Sequence, residues 1–111
     1  MDEHRSTKLL NIVEALDRVH GVVGLYIGRK DDVDGVVNFL QGFREACDVL
    51  GLRYGVEVER QVFSENGWER RANGVWVQMR ESGMSEEVIV IELVRLEILK
   101  WQKLLSEVNS K

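Results

Sequence analysis

The chain has 111 residues, 44% hydrophobic and 31% charged, with 19 acids against 15 bases and a formal net charge of −4. That length is one globular domain over residues 1–111, and the composition falls in the globular range, so intrinsic disorder is not the default. A single cysteine excludes an internal disulfide, and no apolar stretch reaches the roughly 20 residues that span a bilayer.

The start MDEHRSTKLL is charged at once and has no signal-peptide core, so the expected location is cytoplasmic, with no membrane partner. Acids and bases are interspersed: residues 1–55 carry 9 and 7, residues 56–111 carry 10 and 8. A nucleic-acid partner is disfavoured, because phosphate binding needs a basic surface. Only folding could gather Arg70, Arg71 and Arg80 on one side.

In chain order, residues 6–19 set Leu9, Ile12, Val13, Leu16 and Val19 at helical spacing behind a Ser6 cap. The segment GVVGLYIG packs three glycines into eight residues and reads as an ordered loop or a short strand. Asp31 or Asp32 then caps a second helix, with Val33, Val36, Val37, Leu40, Phe43, Cys47 and Leu50 as its core stripe. Gly51 closes it in the left-handed position. Gly35, Phe39, Gly42 and Ala46 make an adjacent stripe of the same helix. Helix glycines cost about 1 kcal/mol each relative to alanine, so the pair implies a groove, occupied by Tyr26, Ile27 and Gly28.

Residues 53–67 fit a strand through VEVE or a helix through Val58, Val62 and Phe63; the helix, ending at Gly67, is preferred. A short helix is expected over 70–82, with Ala72, Val75, Trp76 and Met79 on one face. Ser85 caps a long last helix to about Glu107, with Glu86 and Glu87 in its first turn. Its run VIVIELV has strong β-propensity, which keeps an α+β fold as the alternative. As a helix the run is apolar all round, which calls for a central position or a subunit interface, and hence a possible homodimer. The predicted fold is all-α, a single domain of four or five helices with a long C-terminal one.

Chemistry is sparse. His4, His20 and Cys47 have neither metal-ligand nor nucleophile spacing, so no catalytic, cofactor-binding or metal residue is assigned and the protein is read as non-enzymatic. Cys47 falls on an apolar stripe and reads as a small buried hydrophobe. GVVGLYIG does not match a phosphate loop, and the acids after it would repel phosphate. Glu97 lies inside an apolar arc and needs a partner; Arg18, Arg44 and Arg80 are the candidates, and a structural ion pair outweighs a tuned acid. Tyr54 and Trp68, with Glu57 and Glu59, are the candidate binding residues, set against half-burial at helix junctions. Trp76 and Trp101 read as core.

The words GLYIG, FLQGFREACDVLG, Phe63, Trp76 and SEE resemble a group of small uncharacterised bacterial single-domain proteins. That group has a (P)GMYIG-like start, a Phe-Leu-x-Gly-Tyr/Phe helix with an alanine three residues on, and a tryptophan before a terminal Ser-Glu-Glu helix. Val23 and Leu25 stand here in place of its proline and methionine. The resemblance covers about residues 20–107 and implies a mainly helical domain, with Tyr26, Gly28, Gly42 and Trp76 as structural positions; Gly35 joins them from the helix stripe. The functional expectation is a small acidic protein-binding domain, immunity- or antitoxin-like, whose charge suits a basic toxin. The alternative is a regulatory module binding nucleic acid or a small ligand.

Overall fold

The computed structural model describes residues 2–110; Met1 and Lys111, the ends of the expected domain, lie outside the described residues. Six helices run in order: α1 (Asp2–Gly21), α2 (Val23–Ile27), α3 (Val33–Val49), α4 (Gly55–Glu65), α5 (Val75–Glu81) and α6 (Glu86–Asn109). No strand occurs among the described residues, so the fold is all-α. VEVE lies in α4 and VIVIELV in α6. The β-propensity of VIVIELV loses because nothing interrupts it before the helical RLEILKWQKLL. The Ser85 Oγ also accepts from Val88 N at 3.3 Å, which anchors the first turn.

α6 is the central element: α1, α3, α4 and α5 all pack against it. α1 runs antiparallel along it, with Leu9, Ile12, Val13, Leu16 and Val19 all buried in the seam. The helix α1 begins at Asp2, ahead of the expected Ser6 cap. Ser6 instead donates its hydroxyl to Asn109 Oδ1 at 2.6 Å, fastening the start of α1 to the end of α6. The expectation that residues 88–94 are covered on every side is corrected. Ile89, Val90, Leu93 and Val94 are buried, but Val88 is 49% and Ile91 42% exposed. Four surrounding helices cover most of α6 and leave this one strip open.

The glycine-rich stretch forms neither a loop nor a strand but the five-residue helix α2. Its end is set by Gly28, at φ 94°, whose N–H bonds Gly24 O. On α3, Asp32 Oδ1 accepts from Gly35 N at 2.8 Å, so Asp32 is the cap. Leu50 falls off the expected stripe: it lies past the last turn of α3 and is exposed.

The two helix glycines divide. A Cβ on Gly35 would stand 2.9 Å from Ile27 Cγ2 and 2.6 Å from Asp32 Oδ2, so the groove exists there and Ile27 is its occupant. At Gly42 a Cβ would meet nothing within 4 Å, so the groove does not extend that far. Opposite effects are expected. Gly42→Ala should stabilise by up to about 1 kcal/mol, the helix-propensity difference alone. Gly35→Ala should destabilise, because either the cap or Ile27 must move. Urea melts of the two variants that moved in the same direction would contradict this division.

α5 begins at Val75, later than the expected 70, since Gly74 sits at φ 90° and breaks any helix running in from its N-terminal side. Ala72 therefore lies outside the helix and is exposed. The segment before α5 is fastened to it through Gln78. Its Nε2 donates to Glu69 O at 2.6 Å, and its Oε1 accepts from Glu69 N at 3.0 Å. This clamp holds Arg70 against α4, where it pairs with Glu59.

Candidate functional site

The α6 residue Glu97 is 1% exposed. Its carboxylate accepts from Arg44 Nη1 at 2.8 Å, the Tyr54 hydroxyl at 3.2 Å, Lys100 Nζ at 3.4 Å and Trp101 Nε1 at 3.2 Å. Arg44, Tyr54 and Lys100 converge on Oε1, while Trp101 bonds Oε2. Of the three predicted partners, Arg44 of α3 is the one that reaches it; Arg18 is exposed, and Arg80 pairs with Glu86 at 2.8 Å. The position one turn on from Glu97 supplies Lys100, which also touches Glu59 Oε2 at 3.5 Å. Lys100 Nζ lies 4.5 Å from the Phe63 ring centre and 5.4 Å from that of Tyr54, where ring faces attract a cation. Glu59 of α4 in turn receives Arg70 Nε at 2.7 Å.

The environment shifts the neighbours. Burial opposes the Arg44 charge, but Glu97 and Tyr54 hold its pKa above the ordinary arginine value. Burial, with Glu97 adding to it, pushes the Tyr54 hydroxyl far up, so it stays a neutral donor. Burial does the same in smaller degree to the Cys47 thiol, which is enclosed as expected.

Beside this network lies a cavity of about 210 Å³. Arg44, Glu59, Arg70, Glu97 and Lys100 line its polar side, and Phe63, Trp76 and Leu96 are among its apolar walls. Arg44, Glu59 and Arg70 also border a second depression of about 270 Å³ on the side of Tyr54 and Trp101.

The candidate binding residues separate. Tyr54 and Glu59 come together in this network, both partly buried. Glu57 is exposed and paired to Arg60 at 2.8 Å. Trp68 is half-buried, and its Nε1 is enclosed with no protein hydrogen-bond partner. Trp76, read as core, is half-buried and forms a cavity wall. Sequence reasoning misses Arg70 and Lys100 as site residues. For Lys100 the signal is present, three residues after Glu97 on the same helical face. For Arg70 there is none, since the Gln78 clamp that places it is a long-range contact.

A second surface feature sits where the end of α1, α2 and the start of α6 meet. Val22, Leu25 and Ile91 line one shallow depression together with His20, Lys30 and Glu87. Leu25 is 83% exposed there. Val88 lies one turn before Ile91 and extends the apolar strip. The three arginines that folding could have gathered into a phosphate surface are each engaged by an acid: Arg70 pairs with Glu59, Arg71 with Glu69 and Arg80 with Glu86. Among the described residues no three His, Cys, Asp or Glu side chains gather as a metal site would require. No helix among them is long and apolar enough to cross a membrane.

No protein family matches the chain, and comparison with curated proteins and with solved structures finds no similar one.

Proposed function

We propose that the protein is a non-enzymatic, cytoplasmic binding domain that captures a protein partner through the apolar corner formed by α1, α2 and α6. The observation that carries this reading is Leu25, 83% exposed amid Val22 and Ile91. A cluster of exposed apolar side chains costs solubility and is a common mark of a docking surface. The net charge of −4 favours a basic partner, since opposite charges speed encounter. An immunity- or antitoxin-like role facing a basic toxin fits both features.

The test uses the adjacent reading frame. Its product is expected to be toxic when expressed alone and tolerated when co-expressed with the parent protein. Leu25→Asp should abolish that rescue while leaving the melting temperature unchanged, because the side chain has few contacts to lose. Rescue by Leu25→Asp equal to that by the parent would remove the corner from the reading. If the parent sediments as a dimer and Leu25→Asp as a monomer, the corner serves self-association instead. A second reading, a regulatory module answering to a small ligand, rests on a separate observation, the cavity beside Glu97.

A further inference from the structure

The cavity and its network share no lining residue with the apolar corner, so a ligand bound there is independent of the protein-binding reading. We propose that the cavity binds a small amphipathic carboxylate, an aromatic ring carrying an anionic group.

Charge is the first argument. Three cations, Arg44, Arg70 and Lys100, face two carboxylates, Glu59 and Glu97, across the polar side of the cavity. Arg71 also reaches the lining but is engaged by Glu69 at 3.1 Å and Glu81 at 4.0 Å, outside it. The lining thus carries more cations than carboxylates, in a chain whose total is −4.

The second argument is where that surplus is reachable. Lys100 is nearly enclosed, while the Arg44 and Arg70 side chains are 35% and 47% exposed. Both arginines keep guanidinium N–H groups beyond the single carboxylate bond each makes. A guanidinium matches a carboxylate in geometry and charge. The ligand's anionic end therefore belongs with these two arginines, in place of water.

The third argument is size and surface. Phe63, Trp76 and Leu96 give the cavity apolar walls. A dry apolar cavity of about 150 Å³ is enough to hold benzene. The roughly 210 Å³ here accepts a ring with a short acidic arm. Ligand sites in general combine such walls with a few fixed polar groups.

Phenylacetate is the probe, with phenylacetamide as its uncharged counterpart. Amide and indole N–H shifts in a ¹H–¹⁵N spectrum read the binding. Phenylacetate should shift the Trp76 indole and the amides around Phe63 and Leu96, saturating at a dissociation constant on the order of 1 mM or tighter. Phenylacetamide should bind at least about tenfold more weakly. Arg70→Met is at a half-exposed position, and its fold is checked by circular dichroism. It should weaken phenylacetate at least about tenfold with little change for phenylacetamide. Equal affinity for the acid and the amide, shifts elsewhere than the cavity, or no saturable shift would each overturn the proposal.

Discussion

Glu97→Ala is expected to destabilise the fold by about 3 kcal/mol or more, as removing one member of a buried ion pair generally does. The variant leaves the Tyr54 hydroxyl and the Trp101 indole N–H without their acceptor, and Arg44 and Lys100 without their shared counter-charge. Glu59 still neighbours Lys100, which keeps the loss short of total. Glu97→Leu combined with Lys100→Met should recover part of that loss, because no unpaired Lys100 charge is left enclosed, while the Tyr54 hydroxyl and the Trp101 N–H still lack an acceptor. Urea denaturation with unchanged m-values checks both variants. A Glu97→Ala protein within about 1 kcal/mol of the parent would show that the network carries little, since that is what an exposed pair is worth.

The second large effect is expected at Trp101. Its ring is buried against Tyr54, edge-on at 5.0 Å between centres, and its Nε1 donates to Glu97. Trp101→Ala should cost about 3–5 kcal/mol through the cavity it opens. At about 4–8 °C per kcal/mol for small domains, the melting temperature falls far enough to be unmistakable. Trp101→Phe separates the two contributions, because it keeps an aromatic body and deletes the N–H. Combined with Glu97→Ala it should be less than additive, since both remove the same hydrogen bond. Strict additivity in that cycle would mean the indole bond to Glu97 contributes nothing.

Where the chain is readable, the cues are local. Ser85 capping α6 and Gly51 ending α3 are short-range signals, and both stand in the structure. The α1 stripe of Leu9 to Val19 is fully buried because one period sets one face. α2 escapes a sequence reading because three glycines in eight residues signal a break, while only Gly28 there takes a positive φ. Gly42 misleads because a small residue in a helix looks the same whether a neighbour or solvent lies over it. For Glu97, burial and the need for a cation are legible, and Arg44 stands among the three candidates. The cavity is not legible, for it draws on α3, α4, α5, α6 and the clamped segment before α5, and no single helix's periodicity encodes that meeting. Tyr54 and Glu59 stand out in the sequence as contact residues, and both turn inward to the network instead.

The central place of α6 bears on how the chain is made. α1 to α5 touch one another sparsely, chiefly α1 with α2 and α2 with α3, and each of α1, α3, α4 and α5 finds its main support on α6. Yet α6 comes after all of them in the chain, so on the ribosome it emerges last. At about 5–20 residues per second, α1 waits several seconds with its buried stripe still in water. Folding therefore waits until α6 clears the exit tunnel. Until then the nascent chain presents Leu9, Ile12 and Leu16 to whatever hydrophobic-segment binder stands at the tunnel mouth.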